Sequence, residues 1–197
     1  RVEEKIALVR KYQDEDWLQK PQPCMIYLKD PCRGSTTKKA GYYRYADLEI
    51  LGASGPIAEA TLIQAGRAIL SEEGYDKTKV EVNSVGDRES MAKWSRELTN
   101  YYRKNINEMT PEIRQMFKRD PFELLTSHDE AAKKLNEHAP RSMDFLSEES
   151  RRHLEEVLEY LETLNIPYTM NNSLIGNRSY CTETIFVIVN DDAEAVK

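Results

Sequence analysis

Apolar positions recur at helical spacing over residues 3–18, where Ile6, Val9, Tyr12 and Trp17 predict a helix that Pro21 and Pro23 end. A continuous apolar run, Cys24-Met25-Ile26-Tyr27-Leu28, then predicts a buried strand, and a second strand is expected over Tyr42 to Leu51. The polar, basic stretch Gly34-Ser35-Thr36-Thr37-Lys38-Lys39-Ala40-Gly41 separates them, so the unit reads as a hairpin with a long tip. From Pro56 to Glu73 the positions Ala58, Leu62, Ala65 and Ile69 predict a helix, with Gly74 as its stop. Val80 and Val82 alternate with charged residues, which predicts a strand closing at Asn83-Ser84-Val85-Gly86-Asp87.

Beyond Asp87 the pattern becomes charged and helical up to Leu164. Asp87 is expected to cap a helix whose buried stripe is Met91, Trp94, Leu98 and Tyr101, and Pro111, Pro121 and Pro140 divide the middle into short helices. Ser147, followed by two glutamates, caps a last long helix with Leu154, Val157, Leu158, Leu161 and Leu164 on its apolar face. Strands return over 168–170 and 181–189, where Ile185 to Val189 is apolar enough for a sheet centre. Strands bracketing a helical block make an α+β fold. The expected organisation is a core over 1–86 with its hairpin at about 24–52, a helical insertion over 87–166, and a return to the core over 167–197.

Composition narrows the function classes. At 197 residues and 40% hydrophobic the chain can bury a real core. A net charge of -6 argues against coating nucleic acid, which rests on clustered Lys and Arg, although a local basic patch stays open. No apolar run is long enough to span a membrane and no signal peptide is legible, so the cytoplasm is the expected compartment. Three cysteines, Cys24, Cys32 and Cys181, without a C-x-x-C pair, predict reduced and mostly buried thiols rather than disulfides or zinc. His128, His138 and His153 lack ligand spacing, so no metal site is expected. Asn171-Asn172-Ser173 and Asn177-Arg178-Ser179 match the glycosylation pattern, for which chance is the better explanation.

Candidate chemistry concentrates on the hairpin. Strand alternation puts Tyr43, Tyr45, Asp47 and Glu49 on one face and Arg44, Ala46, Leu48 and Ile50 on the other. The mostly apolar face is expected to pack on helices, leaving tyrosines and carboxylates on the opposite surface. Arg33 ends the partner strand, where it would add a cation, and Lys38 and Lys39 lie on the tip. Such a surface suits a flat ring against Tyr43, an anion on Arg33 and an amine on Glu49, or equally a solvated sheet face with cross-strand pairs.

In order along the chain, several segments resemble the histidyl-tRNA synthetase family. Arg1-Val2-Glu3-Glu4-Lys5 followed by Val9-Arg10 is similar to its R-P-E-G-T segment and following arginine. Tyr27-Leu28-Lys29-Asp30-Pro31-Cys32-Arg33 resembles the motif 2 strand and Asp47-Leu48-Glu49-Ile50-Leu51-Gly52 its return. Asn83-Ser84-Val85-Gly86-Asp87 resembles the N-S-L-G-D that opens the insertion domain, and Ala139-Pro140 to Tyr168 its closing part. Leu174 to Phe186 stands where the family carries L-V-R-G-L-D-Y-Y-T-G-T-V-F.

The resemblance implies a class II aminoacyl-tRNA synthetase antiparallel sheet flanked by helices, with an inserted helical domain. It also implies ATP, with Mg²⁺, as cofactor, histidine and tRNA(His) as substrate and partner, and a homodimer. By position, Arg33 would hold the α-phosphate and substrate carboxylate, Tyr43 would stack on adenine, Glu3 and Glu49 would contact histidine, and Tyr180 would line its pocket. Catalysis in such a site is positioning and charge stabilisation.

Departures from the family pattern fall on the same segments. Ser35 replaces the glutamate that reads adenine, Lys5 the threonine of R-P-E-G-T, and Tyr45 the histidine-binding glutamine. In the histidine signature the catalytic arginine falls on Gly176, the next glycine on Asn177, the aspartate on Ser179 and the second tyrosine on Cys181. Losing one transition-state contact of this kind costs on the order of 10²–10³ in rate. Arg178 lies two positions on, about 6.5 Å along a strand. Motif 1, motif 3 and the anticodon-binding domain are not expected within these residues. Three readings follow: a divergent core that binds a nucleotide or amino acid with weak or no aminoacylation, an active histidine-tRNA ligase, and a relative of the ATP phosphoribosyltransferase regulatory subunit. The last fits least, because that relative keeps the signature and reduces the insertion.

Overall fold

The computed structural model describes residues 2–33 and 42–190. They fall into two compact units divided between Leu62 and Ile63. The predicted hairpin tip, with Ser35, Lys38 and Lys39, lies outside the described residues, as does Arg1.

The first unit holds helix α1 (Val2–Asp14), strands β1 (Cys24–Arg33) and β2 (Tyr42–Leu51), and the start of helix α2 (Pro56–Glu72). β1 and β2 pair antiparallel in unbroken register from Cys24 opposite Leu51 to Arg33 opposite Tyr42. The hairpin faces are used differently from the sequence expectation. Met25 and Tyr27, registered with Ile50 and Leu48, remain 63% and 55% exposed. The acidic face meets α1 instead, because Lys5 forms ion pairs with Asp47 (3.8 Å) and Glu49. The cause is charge: one lysine on the first turns of α1 can neutralise two carboxylates that share a strand face.

The second unit is a three-stranded sheet carrying a helical block. Its strand order is β4-β3-β5, with β3 (Thr78–Ser84) central, β4 (Tyr168–Met170) parallel to it and β5 (Thr184–Asn190) antiparallel. The sheet is therefore mixed rather than purely antiparallel. β5 pairs with β3 only, among the described residues, and Val187 is exposed, so the apolar run over 185–189 is not a sheet centre there. Parallel pairing of β3 and β4 needs a long crossover, and residues 85–167 supply it.

That crossover contains α3 (Arg88–Lys104), α4 (Pro111–Arg119), α5 (Pro121–Leu125), α6 (Glu130–Asn136) and α7 (Glu148–Thr163). Each start has a sequence reason. Asp87, Thr110, Asp120, Asp129 and Ser147 all accept backbone N–H bonds as N-caps, and Pro111 and Pro121 occupy first helical positions, where no N–H is missed. The block closes on Trp94, Leu98, Tyr102, Ile113, Phe122 and Leu124. Trp94 meets Phe122 edge-on at 5.0 Å and its indole N–H donates to Pro140 O at 2.8 Å. On α3 it is Tyr102, not Tyr101, that is fully buried, with its hydroxyl donating to Asn136 Oδ1 at 2.7 Å. Tyr101 lies beside it, half-buried, and donates to Leu135 O.

A second cluster joins α2, the sheet and α7 through Ile63, Val80, Val82, Leu154, Leu161 and Ile166. The buried stripe of α2 is therefore Ala60 and Ile63 rather than Leu62, Ala65 and Ile69, and Ile69 is exposed. On α7, Leu154, Val157 and Leu161 are buried while Leu164, at the end, is exposed. Gly74 stops α2 as expected. Its φ of +92° is the left-handed conformation of a helix stop, and Tyr75 N–H returns to Leu70 O at 2.8 Å.

Candidate functional site

Asn83-Ser84-Val85-Gly86-Asp87 is a built turn in which every residue has a use. The Asn83 side chain, fully buried, donates to Leu174 O at 2.8 Å and accepts from Ser142 Oγ at 3.0 Å, tying the strand end to the 171–183 segment and to the helical block. Ser84 Oγ accepts from Gly86 N–H at 3.2 Å, and Val85 is inaccessible in the core. Gly86 is required: its φ is +67°, and a Cβ there would stand 2.7 Å from Ser90 Cβ and 2.8 Å from Leu146 Cδ2. Asp87 caps α3 by accepting from Ser90 N–H at 2.7 Å, and this bond holds its carboxyl below the ordinary carboxylate range.

The segment between β4 and β5 is irregular but strongly tied. Asn171 N–H donates to Val82 O, Asn177 O accepts from both Tyr180 N–H (3.1 Å) and Cys181 N–H (2.8 Å), and Glu183 exchanges backbone hydrogen bonds with Val85 and Gly86 at 3.0 Å. Glu183 holds a left-handed φ of +57°, and its carboxylate accepts from Ser150 Oγ at 3.0 Å. Gly176 is also left-handed, at φ +58°. A Cβ on it would lie 2.8 Å from Ile185 Cδ1 and 3.2 Å from Cys181 Sγ, so this position is packed against its own loop. Arg178 turns to the helical block: its guanidinium lies 4.5 Å from the Phe122 ring centre and pairs with Asp120.

The segment and the start of α3 enclose a cleft of about 370 Å³ lined by Arg88, Met91, Ala92, Arg178, Tyr180 and Cys181, among others. Tyr180 is thereby placed on a cleft wall, 47% exposed. Glu3 is exposed on α1, and Glu49 is half-buried beneath Lys5. The backbone register sets Arg33 opposite Tyr42 and Tyr43 opposite Cys32, so Arg33 and Tyr43 are near neighbours across the hairpin without being direct partners. Glu3, Arg33, Tyr43 and Glu49 belong to the first unit and Tyr180 to the second.

Cys24 and Cys181 are free thiols, half-buried rather than buried. His128 and His138 are exposed, and no cluster of three metal-ligating side chains occurs among the described residues. No helix is long and apolar enough to cross a membrane among the described residues. Sequence reasoning missed the Lys5 bridge and the docking of Arg178. The first was legible in Lys5 facing two same-face carboxylates. The second had no local signal, since Asp120 and Phe122 are some sixty positions away in the chain.

No protein-family model matches the chain. Individual relatives do. It is 34% identical over 148 residues to a histidine–tRNA ligase of Rippkaea orientalis, covering 75% of this chain and 34% of that one. A histidine–tRNA ligase of Wolbachia pipientis is 32% identical over 154 residues, covering 78% and 38%, and one of Desulforamulus reducens 27% identical over 198, covering 99% and 47%. The apo histidyl-tRNA synthetase of S. aureus superposes with a TM-score of 0.66 at 27% identity, over 92% of this chain and 43% of that one. A Bacillus halodurans protein described as an ATP phosphoribosyltransferase regulatory subunit/histidyl-tRNA synthetase superposes with a TM-score of 0.61 at 15% identity, a likeness of fold. The chain spans about a third to a half of the length of the curated relatives it matches. With these relatives agreeing along most of its length and a class II synthetase-like fold of mixed helix and sheet beneath them, the chain belongs to the histidyl-tRNA synthetase family.

Proposed function

We propose that this chain is a divergent synthetase-like core that binds a nucleotide or an amino acid, with weak or no aminoacylation. The observation that carries the reading is Gly176, the position where the family resemblance expects the catalytic arginine. It has a left-handed backbone and is packed by Ile185 and Cys181. The nearby cation, Arg178, is held by Asp120 and Phe122 on the cleft beside α3, so in this arrangement it does not take the place of the arginine expected at position 176. A developing phosphate charge would then lack one of its stabilising groups, costing on the order of 10²–10³ in rate.

In this reading Arg33 and Tyr43 hold ATP, with Mg²⁺, and Glu3, Glu49 and Tyr180 contact the amino acid. Residues 87–166 form an insertion domain between core parts 1–86 and 167–197. The protein works in the cytoplasm as a homodimer with tRNA(His) as the ancestral partner. Lys5 bears on amino-acid recognition, since an amine would compete with its ammonium for Glu49. The active-ligase reading is favoured by one observation, the names of the relatives at 32–34% identity.

ATP–pyrophosphate exchange with histidine, measured on the longest native chain, separates the two. Exchange at background level is expected, and robust histidine-dependent exchange would overturn the divergent reading. Nucleotide binding itself is tested by Arg33→Ala, which is expected to abolish it; unchanged binding would remove the hairpin from the site.

A further inference from the structure

The cleft between α3 and the 171–183 segment carries a second assignment. Arg178 is fixed before any ligand arrives. Its guanidinium stacks on Phe122, and Nη2 donates to Asp120, whose carboxylate is itself held as the α5 cap by accepting Phe122 N–H at 3.0 Å. That pairing uses one of the five donors of a guanidinium. The remaining donors have no partner among the described residues, and the group lines the cleft.

Arg88 lines the same cleft, exposed and without an ion pair among the described residues. It occupies the first position of α3, where its charge faces the positive end of the helix dipole, an arrangement that local electrostatics disfavours. The carboxylates nearby are already engaged, Asp87 by Ser90 N–H and Asp120 by Arg178. Two arginines with open donors therefore face a cavity whose further lining includes Asp87, Met91, Ala92, Phe122 and Tyr180, so that two guanidiniums stand against one carboxylate. The volume, about 370 Å³, suits a small metabolite.

We propose that this cleft binds a small ring-bearing anion, a carboxylate or a phosphate monoester, with its charge between Arg88 and Arg178 and its ring against Met91, Ala92 and Tyr180. Arginine suits the role because its planar fork matches both anions bidentately. The stack and the Asp120 pair lower the cost of binding by holding Arg178 in place beforehand. The assignment is independent of the hairpin chemistry proposed above and shares only Tyr180 with it.

Titration of the full chain with phenyl phosphate and with benzoate, followed by amide NMR shifts, tests it, and inorganic phosphate probes the anion without a ring. Saturable shifts at residues 88–92 and 178–182 are expected. Arg88→Gln, on an exposed helix start, is expected to weaken binding at least tenfold while leaving the rest of the spectrum in place, and Arg178→Gln to weaken it further. A phenyl phosphate preference assigns a phosphate ligand, a benzoate preference a carboxylate. Absence of saturation, shifts mapping elsewhere, or an Arg88→Gln variant that binds as well as the parent would overturn the proposal. Inorganic phosphate binding as tightly as phenyl phosphate would overturn the ring contact. ATP–pyrophosphate exchange, run alongside, reports on the hairpin reading separately.

Discussion

The two units use their apolar residues in opposite ways. In the second, Ile63, Val80, Trp94, Leu98, Tyr102, Phe122 and Leu161 are sealed from solvent, and the buried Asn83 and Ser142 are hydrogen-bonded to each other. In the first, the buried hydrophobic side chains among the described residues are Leu8, Tyr12 and Ala60, while Ile6, Val9, Met25 and Tyr27 stay exposed. That unit has the hairpin ladder and the Lys5 bridge, but few sealed side chains among the described residues. The difference separates two jobs. The helical unit has the packing to fix a loop precisely, while four of the five candidate ligand-binding residues stand on the unit with the thinner core.

The sharpest test of the contrast is Trp94→Ala. Truncating a side chain that is 1% exposed, edge-on to Phe122 and hydrogen-bonded to Pro140 is expected to cost about 3–5 kcal/mol. Urea denaturation measures it, and a loss below about 1 kcal/mol would mean that the block is not closed on this ring.

Gly176→Arg comes next. A side chain forced into a left-handed backbone against Ile185 is expected to cost about 1–3 kcal/mol. It is also expected to leave histidine-dependent pyrophosphate exchange at background, because the loop that would present the arginine is shaped for glycine. A stable variant with raised exchange would show that only the side chain was missing.

Much of this architecture was legible in the sequence, and the failures have a common cause. The caps at Asp87 and Ser147, the hairpin strands and the Gly74 stop depend on residues close in sequence, so local pattern located them. The choice of Tyr102 over Tyr101, and of Ala60 and Ile63 over Leu62 and Ile69, depends on which helix face meets distant partners, here Phe117, Asn136 and the sheet. Neighbouring residues lie about 100° apart around a helix, and on α2 both the expected and the observed stripe are apolar although they fall on nearly opposite faces. The hairpin was misjudged for a different reason: the apolar face was expected to be covered, but Lys5 drew α1 to the acidic face. For the site, strand alternation correctly put Asp47 and Glu49 together, while the Arg178 contact lay beyond any local rule.

Asp87 links cap strength to pH. Asp87→Ala is expected to cost about 1 kcal/mol at neutral pH, whereas Asp87→Asn keeps most of the cap and removes the charge. The sign follows from the lowered folded pKa. The unfolded chain takes up a proton first as pH falls, so stability from this carboxylate is complete above the ordinary aspartate range, about pH 4, and is lost as pH drops through the folded value. Parent and Ala variant are thus expected to differ most at neutral pH and to converge in acid. A gap that stays constant down to pH 3 would place the effect in packing rather than in the ionised cap.

The smallest expected effect probes the first unit directly. Met25 shares a strand face with Tyr27, and both are exposed, so Met25→Ser removes little buried area. The change in stability is expected to stay within about 0.5 kcal/mol. Fully burying a methionine is instead worth roughly 1.5–3 kcal/mol. A loss in that range from Met25→Ser would mean that this face is covered in solution, and the thin-core description of the first unit would then fail. Measured in the same buffer as Trp94→Ala, the two losses should differ several-fold, and their ratio tests the division of labour between the units independently of absolute stability.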